Sequence, residues 1–196
     1  DFTAAARVDT NYPDPMYNRG HLKMVLGNDL GAIDDFSRAI DLEPSDADAW
    51  FSRAQAFDAI NDTIDATSDY NNVIEIDSTY KDAYYFRGCD RLKLRDAEGA
   101  AEDFTIIINT DSNYYYLYYL RGTAYDSLTK YNQAIEDFNA SIKLQSDYGA
   151  AYFGRGYAYL NSGNTAKACD DFNVAVYYGI VAARKYLDNN CHINRR

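Results

Sequence analysis

Long apolar runs are missing from this chain. No stretch approaches the roughly 18 consecutive apolar residues of a membrane span, and the amino end carries no basic segment followed by an apolar run. Nothing in the sequence therefore anchors or targets it, and cytoplasm and periplasm both stay open. Positive charge is also short. Against 30 Asp and Glu stand 19 Lys and Arg, a net charge of -11, so a nucleic-acid backbone or an anionic membrane would be repelled. An initiator Met is absent, which points to a processed form or a piece of something longer.

The residues of catalysis and metal binding are equally sparse. His21 and His192 stand far apart, and neither sits in a His-Glu-x-x-His arrangement. Gly154-Arg155-Gly156-Tyr157-Ala158-Tyr159 lacks the third glycine of a dinucleotide fingerprint and follows no strand pattern. No nucleophile with a base, metal cluster or phosphate cradle is legible, so we expect no enzyme, no cofactor and no metal. Acidic pairs such as Asp34-Asp35 and Asp170-Asp171 resemble dyads in isolation, but they recur, which makes them architecture.

What is present is a period. At 47% hydrophobic and 25% charged residues the chain has the composition of a folded protein. Shifted by 34 residues, it aligns Arg19, Arg53, Arg87, Arg121 and Arg155 in one column. The next column is small: Gly20, Ala54, Gly88, Gly122 and Gly156. Thirteen residues after each Arg stand Ala32, Ala66, Ala100, Ala134 and Ala168. Four beyond those come Phe36, Tyr70, Phe104, Phe138 and Phe172, and three before each Arg come Met16, Trp50, Tyr84, Tyr118 and Tyr152. Small residues let helices approach closely, and bulky ones fill what they leave. Within 32–40, Ala32, Ile33, Phe36, Ala39 and Ile40 follow the i, i+3, i+4 rule of a helix. Breakers such as Leu26-Gly27-Asn28-Asp29, Asn161-Ser162-Gly163-Asn164, Pro44-Ser45-Asp46 and Asp77-Ser78-Thr79 split each period into two helices.

These columns resemble the tetratricopeptide repeat family over nearly the whole chain. The resemblance implies an all-α fold, a right-handed superhelical array (α-solenoid), with repeats at 13–46, 47–80, 81–114, 115–148 and 149–182. Residues 1–12 match Asp103 to Tyr114 and read as the back half of a preceding repeat; residues 183–196 read as a capping helix and tail. The exposed half-repeat suggests either a fragment or homo-oligomer contacts covering that face. The terminal stretch Ala168 to Phe172 followed by Tyr186 to Cys191 is similar to end units of Bacteroidetes proteins. Two departures from the family pattern stand out. Its closing Pro is present only as Pro44, with Ser78, Ser112 and Ser146 elsewhere, so looser turns are expected there. Arg91 replaces an aromatic, which predicts a less regular third unit.

If the helix ending near Tyr178 turns at Gly179 and returns antiparallel, Cys169 and Cys191 lie at similar distances from the turn. A disulfide and two separate thiols fit equally, and Cys89 stays unpaired either way. Sixteen residues after each Arg comes Asp35, Asp69, Asp103, Asp137 or Asp171. Family members carry an aliphatic residue in the Arg column, so guanidinium-carboxylate bridges between helices are expected, structural rather than anion-binding.

The resemblance also implies a concave groove lined by first helices. Its fifth positions would be Tyr17, Phe51, Tyr85, Tyr119 and Phe153, its ninth positions His21, Gln55, Cys89, Thr123 and Tyr157. Asn18, Phe86, Tyr116 and Leu120 would add to it, with Tyr85, Phe86, Tyr116, Tyr119 and Leu120 forming its densest patch. Asp14, Asp48, Asp58, Asp82 and Asp126 would make it acidic and favour a neutral to basic protein or peptide. Of the residues that grip a terminal carboxylate in this family, only Asn18 survives, which argues against that mode. The expected function is a scaffold or adaptor. Alternatives are a carbohydrate-binding or uptake accessory, for which one Trp and no insertion are poor material, and the non-catalytic regulatory part of a larger enzyme.

Overall fold

Residues at five positions 34 apart, Gly27, Asn61, Arg95, Thr129 and Gly163, all adopt left-handed backbone with φ between 57° and 87°. Each follows a helix and reverses the chain. The next amide reaches back five residues in the manner of a Schellman turn: Asn28 to Lys23 O, Asp62 to Phe57 O, Lys130 to Tyr125 O and Asn164 to Tyr159 O, at 2.7–2.9 Å. That turn residue's successor then caps the following helix. Asn28, Asp62, Asp96 and Asn164 each accept a backbone N–H three residues on, satisfying a donor that the helix leaves orphaned.

The computed structural model describes residues 14–191, the side chain of Asp14 excepted, and among them every regular element is a helix. These are α1 Asp14–Val25, α2 Asp29–Leu42, α3 Ala47–Ala59, α4 Thr63–Ile76, α5 Lys81–Lys93, α6 Ala97–Thr110, α7 Tyr115–Ser127, α8 Tyr131–Leu144, α9 Gly149–Asn161, α10 Thr165–Tyr177 and α11 Ala183–Asn190. The half-repeat 1–12, with Asp1, Phe2 and Ala5, and His192 lie outside the described residues. The chain divides into two compact units, residues 1–94 and 95–196, and each helix packs on the next within its unit: α1 to α5 in the first, α6 to α11 in the second. This consecutive packing of helix hairpins is the all-α solenoid arrangement. No helix among the described residues is long and apolar enough to cross a membrane.

The core repeats with the sequence. Ala32, Ala66, Ala100, Ala134 and Ala168 are fully buried, as are the aromatic rings at 36, 70, 104, 138 and 172. The small column exists because of those rings. A Cβ on Gly20 would lie 2.7 Å from the Phe36 ring, and one on Gly122 would lie 2.9 Å from Phe138.

Between the helices the arginine column makes a clamp. Arg19, Arg53, Arg121 and Arg155 each donate through Nε and Nη2 to both oxygens of Asp35, Asp69, Asp137 and Asp171, at 2.5–2.8 Å. The remaining Nη1 turns to the preceding second helix. Arg53 donates to Ser37, Arg87 to Asn71, Arg121 to Thr105 and Arg155 to Asn139. Each guanidinium also lies over the ring three residues before it, 4.8 Å from the centroid at Trp50, 5.4 Å at Tyr84, 5.7 Å at Tyr118 and 5.3 Å at Tyr152. Arg87 and Asp103 belong to different units; Asp103 is buried.

The serine-containing turns are tied by these same rings. Trp50 Nε1 donates to Pro44 O, Tyr84 OH to Ser78 O and Tyr152 OH to Ser146 O, so two serine turns carry the bond made at the proline turn. The expected loosening is not seen there. Nor is the third unit's first helix irregular: α5 is continuous over 13 residues, with Arg91 half-buried on it. At the carboxyl end Cys169 and Cys191 are joined, with Cα atoms 5.7 Å apart, tying α10 to the end of α11. Cys89 is a free thiol.

Two tests follow from this architecture. Arg121→Leu should cost about 3–5 kcal/mol in urea unfolding because Asp137 is left buried and uncompensated; removing both charges in an Arg121→Leu/Asp137→Leu variant should recover most of the loss. Thr129 places a β-branched side chain at φ 57°, so Thr129→Gly should stabilise by roughly 1 kcal/mol and raise the melting temperature.

Candidate protein-interaction face

The first helices of successive hairpins also touch one another, α1 with α3 in the first unit and α7 with α9 in the second. Side chains on their shared face sit between that contact and the second helices behind it. The fifth-position rings occupy this place and are half-buried in every case. Four of the five lean on the second-helix ring of their own hairpin: Tyr17 on Phe36, Phe51 on Tyr70, Tyr119 on Phe138 and Phe153 on Phe172, with centroids 5.6–6.0 Å apart. One edge of each of these four rings is thus held by the core while part of the ring remains exposed.

In the first unit this row extends into two sets of ring contacts, one around Tyr17 and one around Phe51. Tyr17 meets His21 edge-on at 4.6 Å, and Phe51 meets both Tyr80 and Phe86. Phe86 stacks on Tyr70 and is met edge-on by Tyr85. His21 Nε2 lies 3.2 Å from Ser52 Oγ, and burial lowers the imidazole's pKa. Ser52 is only 3% exposed, so this Ser–His contact offers no open nucleophile. Gln55 and Cys89 are half-buried on the same face, and burial pushes the Cys89 thiol up to about 11. Asn18, Asp48 and Asp82 are exposed, and Asp48 accepts a bond from Tyr80 OH at 2.8 Å.

In the second unit Tyr116 and Tyr119 form a cluster with Tyr148, at 6.3 and 5.2 Å, and Tyr115 joins it at 4.9 Å. Thr123 is half-buried and returns its hydroxyl to Tyr119 O. Leu120 does not belong to the accessible face. It is 8% exposed, because its place on α7 turns it into the packing. Phe153 and Tyr157 are both covered in part by Tyr186 of the last helix, at 5.5 and 5.7 Å. The residues named as the densest patch divide between the units, with Tyr85 and Phe86 in the first and Tyr116, Tyr119 and Leu120 in the second.

The carboxylates behave differently from one another. Asp126 is half-buried, and burial raises its pKa. Asp58 accepts from Tyr70 OH at 2.8 Å and faces Lys93 Nζ at 3.5 Å. Lys93 also donates to Asp90 at 2.7 Å, so one ammonium holds two carboxylates from α3 and α5. Sequence columns could have exposed this cluster. Asp90 stands where other units have Leu22, Ala56, Ala124 and Ala158, Asp58 where three of them have Met24, Leu92 and Leu160 and the fourth repeats it as Asp126, and Tyr70 where they have only Phe. Three departures in two adjacent repeats meet in space. Asp90 is 1% exposed, and burial, with Asp58 adding to it and Lys93 opposing, pushes its carboxyl up to about 6. The bridged carboxylates show the same contest. Burial holds Asp69 and Asp137 above the usual value despite one arginine each; for Asp35 burial is again the largest single effect, but Arg19 and Lys23 together bring it below.

Among known proteins, the family model for the tetratricopeptide repeat matches residues 17–79 and 119–185. No curated protein sequence matches the chain. Solved structures do. YrrB, described as a tetratricopeptide protein with an unusual peptide-binding site, superposes with a TM-score of 0.86 at 16% identity, over 95% of this chain and 97% of that one. A MamA crystal structure gives 0.80 at 23% identity over 85% and 91%, and MamA from Desulfovibrio magneticus RS-1 gives 0.80 at 17% over 85% and 94%. At these identities the likeness is one of fold.

The Asp90 carboxyl yields a pH test with a definite sign. Its folded value lies above its unfolded one, so as pH rises from 3.8 to about 6 the unfolded chain releases the proton first. The group's stabilising contribution is present at the acid end and lost above about 6. Asp90→Asn keeps the position neutral throughout. It should match the wild type near pH ~4 and exceed it by on the order of 1–2 kcal/mol near pH ~7, read from paired thermal melts.

Proposed function

Because the chain belongs to the tetratricopeptide repeat family, we propose that its protein-interaction role is carried by the face of its first helices, where a peptide or protein segment lies in a concave groove. In the first compact unit the first helices of 13–46, 47–80 and 81–114 contribute to that face, and in the second those of 115–148 and 149–182 do. The observation that carries this reading is the row of half-buried rings, Tyr17, Phe51, Tyr85, Tyr119 and Phe153. A ring held along one edge by the core is ordered before a partner arrives, so covering its remaining surface costs little side-chain entropy. Asp48 and Asp82 on the same face, with a net charge of -11, favour a neutral or basic segment.

The role is that of a scaffold without chemistry of its own. Ser52 is shut off from substrate, and the buried Cys89 thiol is too basic to form a ready thiolate. A sugar-binding reading loses its best residue, because Trp50 is committed to Pro44 O and to Arg53. The peptide-binding site that names YrrB gives a precedent for a fold of this kind.

Capture of a partner from the producing cell, then calorimetric titration with the segment recovered, tests the reading. Tyr85→Ala/Tyr116→Ala should weaken binding at least about tenfold while shifting the melting temperature by no more than about 2–4 °C. Undiminished binding to this variant would remove the groove from the account.

A further inference from the structure

A second surface lies at the hairpin tips of the first unit. Position 30 and its equivalents, Leu30, Ile64, Glu98, Asn132 and Ala166, are exposed in every repeat, and so are position 25 and its equivalents. The fold therefore gains nothing from bulky apolar groups there, and three of the units carry polar or small ones. The first repeat has bulky aliphatics at both positions, Val25 and Leu30, and the second has one at the latter, Ile64. Val25, Leu26, Leu30, Ile60 and Ile64 are 83%, 73%, 68%, 38% and 70% exposed. Successive hairpins run in the same sense, so the turns at 25–28 and 59–62 emerge at one edge, and neighbouring helices set them roughly 10 Å apart.

Charge around this ridge has one sign. Residues 25–31 and 59–65 contain Asp29, Asp62 and Asp65 and no Lys or Arg. Two cations flank it and both are committed: Lys23 Nζ lies 2.8 Å from Asp35 and donates to Gly31 O at 2.8 Å, and Lys93 Nζ lies 2.7 Å from Asp90 and 3.5 Å from Asp58 beside the second tip. The pattern changes at the third tip, where Leu94 is still 44% exposed but Lys93 is basic. In the second unit the tips carry Lys130 with Asn132, and Ser162 with Lys167.

We propose that the edge formed by Val25, Leu26, Leu30, Ile60 and Ile64 docks a basic amphipathic helix of another protein. Its aliphatic side chains would cover the ridge, and its Lys and Arg would pair with Asp29, Asp62 and Asp65. Anchors seven residues apart on a helix are about 10 Å apart, which matches the spacing of the two tips. A second copy of this chain is the poorer fit, since apposing the same edge would bring the two acidic sets together. This surface is separate from the first-helix groove, so the scaffold would hold two partners, or two segments of one.

The probe is a fluorescein-labelled peptide of roughly 18 residues with Leu at i, i+3, i+4 and i+7 and Lys elsewhere, titrated against the full chain by anisotropy. A Leu/Glu counterpart serves as the charge control. Leu30→Ser/Ile64→Ser should weaken binding at least about tenfold with an unchanged melt, because both side chains are solvent-exposed. Asp29→Asn/Asp65→Asn should weaken it and flatten its salt dependence, while Tyr85→Ala/Tyr116→Ala should leave it unchanged. Three results would overturn the proposal: binding that ignores the ridge variants, equal binding of the Leu/Glu peptide, or sedimentation showing a dimer that the ridge variants dissociate. Failure here leaves the groove reading standing, since the groove variant is scored against a different ligand.

Discussion

The arginine clamp is the interaction on which this structure depends. Each guanidinium has three faces of use: the Nε/Nη2 edge for a carboxylate, Nη1 for a hydroxyl or amide oxygen, and the π surface for a ring. Arg53, Arg121 and Arg155 employ all three, holding their own second helix, the preceding second helix and the turn-bracing aromatic together. Lysine has no such fork, and an aliphatic side chain would seal the same space without fixing direction. A buried ion pair is a weak source of net stability. The raised carboxyl values at Asp69 and Asp137 say as much, since one arginine does not fully offset the burial of the carboxylate. What the clamp supplies is register. It lets only one relative placement of three helices satisfy every donor.

That fixed register explains why the first-helix face is aromatic. The clamp sets the separation of first and second helices, and the glycine column lets the second-helix ring come close behind the first helix. A ring at the fifth position then has something to lean on. The result is a row of side chains ordered by the fold yet incompletely covered by it. Those are good anchors for a partner because little freedom remains to be lost. Where the pattern is broken by Tyr70, Asp58 and Asp90, the ring gains a hydroxyl partner and the fold gains a titrating carboxyl near neutral pH.

Much of this was legible from the residues. Columns 34 apart showed where helices begin and end, and pairing Arg with Asp sixteen residues later is a one-dimensional pattern. The third partner of the clamp was not read, because Ser37, Asn71, Thr105 and Asn139 differ in type and only share the ability to accept a bond. Leu120 was misplaced for a related reason. Positions carried over from the family give an average direction, whereas the local packing on α7 buries this one. Tyr186 partly covers Phe153 and Tyr157 from beyond the last repeat, where the period no longer guides the reading.

The sequence alone determined the number of helices per period, the small and large columns of the core and the opposite charges that face each other. All of these are local or strictly periodic, so spacing encodes them. Only the tertiary structure decided which polar groups share a hydrogen bond or a cation, which rings keep an open edge and where exposed apolar residues line up into a ridge. Those properties depend on distances between side chains many residues apart and on what remains uncovered after packing, and no column in the sequence records either.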